Sequence, residues 1–256
     1  MPTHLSLDDH VAALLHSGGV LRDAADRAGL DAPVPTCPVW DVRKLVIHQG
    51  AVHRWAAANL RGEDDHRTDD SKAEAERATD LLAWFSAGLE ALVDTIRTTT
   101  DDAQAMTFLD DAPPPRRFWA RRQAHETTIH SADAVAAVLG YWPTTADLAV
   151  RPELAADGID ELLCGFITRG NGAVRVGEPL TMVVVTDDTG HAWTVRIAEG
   201  SLTTTAGAGD GADATLSGTA SQLYLGLWNR TDEITVRGRD DVVELWRSQV
   251  RVRWGG

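Results

Sequence analysis

Glu126 and His130 stand four residues apart in a run from Pro115 to Leu139 that contains no internal glycine or proline. At about 100° of turn per residue, such a run places Trp119, Glu126, His130, Asp133 and Ala137 on one helical face. A carboxylate and an imidazole one turn apart on the buried side of a helix are costly to desolvate, and a metal ion is a common compensator. A buried acid–imidazole hydrogen-bonded pair is the plainer alternative. Two ligands do not make a site. The candidate third is His48, which shares a narrow helical arc with Leu45, Val52, Trp55 and Asn59; taken alone, it reads as a satisfied core histidine. Three protein ligands leave a zinc ion one open coordination position, the arrangement of catalytic rather than structural sites.

Neighbouring residues are less specific. His125 and His130 are separated by five residues where a zincin motif needs four, so these two rings cannot share a face. His53 and His125 are read as groups that support a ligand or lie at the surface. Asp133 either orients a ligand imidazole or serves helix pairing or solvation. Arg122, close to Glu126, is read either as a contact to a substrate anion or as a structural partner of an acid. Arg230 follows the apolar segment Leu223 to Trp228; it is a candidate to bind a carboxylate, or a helix-terminal cation favourable to the dipole. Cys37 has no flanking cation or base and reads as a packing residue.

The positioning elements can be read from punctuation and periodicity. Ser6 with Asp9 resembles a capping box ahead of a stripe from Val11 to Ala28, stopped by Gly29. Asp41 caps the His48 helix, which ends at Gly62. A polar loop is expected over residues 62–70, then a third amphipathic helix from Leu81 to Ile96. The connection from Thr98 to Pro115 contains three consecutive prolines, and the helix bearing Glu126 and His130 follows, closed by Gly140. Four amphipathic helices with one long connection describe a four-helix bundle, a fold that builds metal sites from facing helices.

Beyond Tyr141, the character changes. A fifth helix is expected from Pro152 to Arg169, then a hairpin of Leu180–Thr186 and Ala192–Ile197 around Asp187–Gly190. Strands at residues 201–205, 214–217 and 234–237 and helices at 220–228 and 241–250 complete an α+β unit. The expected domains are residues 1–150 and 151–256.

The 256 residues contain 43% hydrophobic side chains, enough to fill real cores. Their formal charge of -14 and the absence of a basic run disfavour nucleic acid and anionic membrane surfaces as partners. No apolar run approaches membrane-spanning length and the first residues lack a signal pattern, so a cytoplasmic location is expected. Two cysteines are too few for a disulfide framework. No pattern fixes an oligomeric state.

Three motifs in order carry a family resemblance over nearly the whole chain. Cys37-Pro-Val-Trp-Asp-Val-Arg-Lys-Leu-Val-Ile-His48 with Val52-His-Arg-Trp55 resembles the opening motif of the mycothiol-dependent maleylpyruvate isomerase family, within the DinB-like superfamily. Ala124-His-Glu-Thr-Thr-Ile-His-Ser-Ala-Asp-Ala134 resembles its second metal motif, and residues 212–230 are similar to its sterol-carrier-like C-terminal domain. The resemblance implies a DinB-like four-helix bundle followed by a sterol-carrier-like α+β domain. It implies a divalent metal, usually zinc, on His48, Glu126 and His130, with mycothiol as cosubstrate and a small electrophile as substrate. Maleylpyruvate isomerase-like cis–trans isomerisation is the leading expectation. Mycothiol S-transfer in detoxification or specialised metabolism is the alternative, and a non-enzymatic binding protein the reading from another class. Ser131 stands where the family often has arginine, and Asn229 where glycine is usual, which puts the contacts to an acidic substrate or thiol in question.

Overall fold

The computed structural model describes residues 5–63, 65–109, 111–168, 178–198 and 201–250; Arg169, the expected end of the fifth helix, lies outside them. The chain divides into two compact units, one spanning Ser6–Pro143 and one beginning at Thr144.

The first unit is helical, and α1, α2 and α4 begin where the sequence supplies a side-chain acceptor. In α1 (Leu7–Ala28), Ser6 Oγ accepts from Asp9 N at 3.1 Å and the Asp9 carboxylate accepts from Ser6 N at 3.0 Å. In α2 (Val42–Arg61), Asp41 Oδ1 accepts from Lys44 N at 2.8 Å, and Gly62 ends the helix in the left-handed conformation. A short helix α3 (Thr68–Arg77) precedes α4 (Leu81–Thr98), which is capped by Asp80. The last, α5 (Pro115–Leu139), starts on a proline in its first turn and stops at left-handed Gly140.

The bundle consists of α1, α2, α4 and α5: α1 packs on α5 and α4, and α2 lies against both α4 and α5. Its core includes Leu21, Val42, Leu45, Val46 and Phe85, all fully buried. At Gly50 a Cβ would collide with the Trp84 ring, so glycine permits the close approach of α2 to α4.

Two features differ from expectation. Part of the loop expected over 62–70 belongs to α3; only Ser71 and Ala75 of that helix are buried, so it carries no apolar stripe for periodicity to detect. On α2 the buried arc is wider than the single stripe through Leu45 and Val52, because the helix is flanked on two sides. It includes Gln49 and His53, so the surface reading of His53 is corrected: the ring is fully buried, whereas His48 retains 14% side-chain exposure.

The second unit opens with a 3-10 turn at Thr145–Asp147 and α6 (Pro152–Asp160), which continues as a π-helical turn over Glu161–Phe166. Strands β1 (Leu180–Thr186), β2 (Ala192–Ala198), β3 (Ser201–Ala206), β4 (Ala214–Gly218) and β5 (Thr235–Gly238) form a sheet of order β3-β2-β1-β4-β5. The β1–β4 pair is parallel and the others are antiparallel. Between β4 and β5 lies α7 (Ala220–Leu227), which packs on α6, and α8 (Val242–Gln249) follows β5. Met182, Val184, Trp193, Val195 and Leu216 share one face of the sheet and are fully buried, and the intervening Val183 and Thr194 are buried as well.

Candidate metal centre

The His48, Glu126 and His130 side chains come together between α2 and α5. One nitrogen from each histidine and one carboxylate oxygen lie within 4.8 Å of one another. The histidine rings approach edge-on at 5.1 Å between centroids. His48 Nε2 lies 3.8 Å from Glu126 Oε1, beyond hydrogen-bond reach, and that oxygen is buried and accepts no hydrogen bond among the described residues. A buried carboxylate oxygen left in that state is expensive, and a cation between the three donors would compensate it. Two imidazoles and a carboxylate suit zinc or a similar divalent ion, so the residues fit the expected metal.

Further contacts prepare the donors. Asp133 is fully buried and its Oδ2 lies 2.9 Å from His130 Nδ1, which assigns the proton to Nδ1 and leaves the Nε2 lone pair for a metal. The other Asp133 oxygen accepts from Thr36 Oγ1 at 2.5 Å, and Cys37 Sγ lies 3.7 Å from Oδ2. On the far side of Glu126, Arg122 Nε is 3.6 Å and Gln123 Nε2 3.4 Å from Oε2.

The electrostatics favour the metal-binding protonation states. Burial pushes the Glu126 carboxyl up, but His48 and Arg122 outweigh it and the net shift is downward, toward the anion. Burial lowers the His130 pKa and wins over the opposing Asp133 carboxylate, so the ring is neutral near pH 7.

Next to the cluster is a second polar group that the sequence did not suggest as a unit. His53 Nε2 lies 2.9 Å from both Gln49 Nε2 and Thr127 Oγ1, and Gln49 Nε2 donates to Thr127 at 3.0 Å. Burial lowers the His53 pKa to about 3, so the ring is uncharged. Gln49 and Thr127 each adjoin an expected ligand in sequence, but neither has a motif of its own.

The remaining expected residues are placed as follows. Arg122 is fully buried beside Glu126, the geometry of a structural partner. Arg230 belongs to the second unit, where its Nη1 donates to Trp228 O at 2.7 Å. His125 is fully buried rather than at the surface, with its ring 6.2 Å from that of His10. Ser131 is buried and its Oγ donates to Thr128 O at 2.7 Å. Trp40 is partly buried and faces the cluster, 4.9 Å from the His48 ring and 5.6 Å from the His130 ring. Thr36 was missed as a partner because it lies in a loop, where periodicity carries no signal.

The family model for the mycothiol maleylpyruvate isomerase N-terminal domain matches residues 11–135, and the model for the C-terminal domain of that family matches residues 153–245. Among solved structures, a crystal structure of the mycothiol-dependent maleylpyruvate isomerase aligns with a TM-score of 0.61 and 15% identity, covering 91% of this chain and 93% of that one. A point mutant of the same enzyme aligns with a TM-score of 0.62 and 14% identity over the same shares. At that identity the alignments show a common fold. No curated protein matches the chain.

Proposed function

From the premise that this chain belongs to the mycothiol maleylpyruvate isomerase family, we propose that it is a mycothiol-dependent metalloenzyme acting on a small electrophile by cis–trans isomerisation. The observation that carries this reading is the convergence of His48, Glu126 and His130 donor atoms within 4.8 Å, beside a buried Glu126 oxygen that accepts no hydrogen bond among the described residues. A divalent ion held there would stabilise a bound thiol as its thiolate, the reactive form.

The chain's own residues supply the rest. Glu126 contributes the anionic donor, held by Arg122 and Gln123; His130 contributes a neutral imidazole fixed by Asp133; and His48, the partly exposed member, lies on the solvent side. Trp40 covers both rings and restricts water there. In the isomerase reading, the thiol adds to a conjugated cis double bond, the resulting single bond rotates, and elimination returns the thiol. Arg230 is the proposed contact for an anionic group of the substrate or thiol. We place the enzyme in the cytoplasm, where no membrane anchor is required; no helix among the described residues is long and apolar enough to cross a membrane.

One observation favours a second reading, S-transfer. Ser131 replaces the arginine frequent in the family and uses its hydroxyl on Thr128 O, so that position offers no cation to an acidic substrate. A conjugate retained as product would identify this reaction.

Elemental analysis of the purified protein beside Glu126→Ala and His130→Ala tests the proposal. The expected result is about one zinc per chain in wild type and loss in both variants, with mycothiol-dependent turnover of maleylpyruvate lost in parallel. A wild-type protein that takes up no divalent metal when supplied with it overturns the reading.

A further inference from the structure

The loop before α2 and the imidazole of His130 meet on a single carboxylate. Residues 34–40 form a compact loop: Cys37 N donates to Val34 O at 3.0 Å, Trp40 N to Cys37 O at 2.8 Å, and Val34 N to Trp40 O at 3.1 Å. Val34 is fully buried, Trp142 Nε1 donates to Pro35 O at 3.2 Å, and Trp40 packs against both candidate ligand histidines. Thr36 and Trp40 therefore belong to one hydrogen-bonded loop, which leads directly into the helix that carries His48. Asp133, from α5, places Oδ1 on Thr36 and Oδ2 on His130, with Cys37 Sγ of the same loop 3.7 Å from Oδ2.

We propose that Asp133 is the positioning residue of this centre. Its Oδ2 holds His130 as the Nδ1–H tautomer before any metal arrives, and its Oδ1 anchors the 34–40 loop so that Trp40 walls the ligand cluster. The proposal rests on the metal-site reading and adds a coupling to it: the residue that aims one ligand also sets the wall beside the coordination position. The physical reason is the cost of a fully buried carboxylate, which is stable only with donors on both oxygens. Among those donors are a ligand imidazole and the loop. A shift of either costs the carboxylate a hydrogen bond.

The test uses the full chain without metal and then with zinc. Long-range 1H–15N correlation spectra of 15N-histidine protein near pH 7.5 report which His130 nitrogen carries the proton, with His130→Gln for assignment. The expected wild-type result is the Nδ1–H form. Zinc affinity, read by competition with a chromophoric chelator, is expected to fall ~10–100-fold in Asp133→Ala and to be partly restored in Asp133→Asn, whose carbonyl can accept the Nδ1–H. Thr36→Val should weaken zinc binding less than Asp133→Ala, yet raise acrylamide quenching of Trp40, read as the difference from matched Trp40→Phe proteins.

A wild-type His130 protonated on Nε2 overturns the proposal. So does a folded Asp133→Ala protein that binds zinc as tightly as wild type, or a Thr36→Val protein with unchanged Trp40 quenching. Should Asp133→Ala fail to fold by circular dichroism, the wild-type tautomer and the Thr36→Val quenching decide. If wild type shows the Nδ1–H form but binds no zinc, the tautomer assignment is upheld and the metal reading falls, so the two fail separately.

Discussion

Two polar clusters lie side by side on the same pair of helices, and they use the same residue type for opposite ends. The His48–Glu126–His130 cluster brings donor atoms together around a buried carboxylate oxygen that accepts no hydrogen bond among the described residues. In the Gln49–His53–Thr127 cluster, neutral groups bond to one another. Burial deprotonates the buried rings of both clusters. What separates them is the neighbour: a carboxylate in one and a hydroxyl with an amide in the other. A buried histidine is therefore a candidate ligand only when its partners leave a charge to be balanced.

The largest expected effect comes from removing that charge. Glu126→Gln keeps the shape but removes the anion, and zinc retention and thiol-dependent turnover should fall by more than the ~10–100-fold typical of losing an outer partner. His53→Gln should leave one zinc per chain. Equal metal loss in the two variants would break the comparison.

Acid should strain the neutral cluster next. The folded His53 pKa is about 3 against an ordinary 6.5, so the unfolded chain binds the extra proton first. Its contribution is fully present above about pH 6.5 and is lost as pH falls toward 3, with a slope of up to ~1.4 kcal/mol per pH unit. Urea unfolding of wild type and His53→Gln between pH 7.5 and 4.5 should show the two stabilities converging as pH falls. Parallel curves would mean that His53 is protonated in the native state.

Thr127→Val removes the hydroxyl shared by Gln49 and His53 and should cost ~1–3 kcal/mol, read from the shift in urea midpoint, with metal stoichiometry unchanged. The smallest effect is expected from Asp41→Ala, which removes the N-cap of α2 at a cost of ~1 kcal/mol while both clusters keep their side chains. A larger loss of zinc than of stability in that variant would show that the cap also sets the placement of His48.

Much of this was legible in the chain. Ser6 and Asp41 each accept from a backbone N–H at the start of a helix, and Gly62 and Gly140 end helices in the left-handed conformation, because caps act over three or four residues. The turn-spaced Glu126 and His130 share a face for the same local reason. The parallel pairing of β1 with β4 was not legible, since nothing within either strand marks its partner. The helix α3 was missed because almost none of it is buried.

By itself, then, the sequence determined where α1, α2, α4 and α5 begin and end, and that α5 carries an acid and an imidazole one turn apart. Helical spacing also offered His48 as the third member; only the tertiary structure decided that His53, off that face, is buried more deeply than His48. Periodicity assigns a helix one inward face, but α2 is packed by α4 on one side and α5 on another, which buries His53 in the interior and leaves His48 at the partly open edge. The Thr36–Asp133 contact, across 97 residues of chain, was likewise decided by packing, because a buried carboxylate takes its donors from whatever segment the fold brings to it.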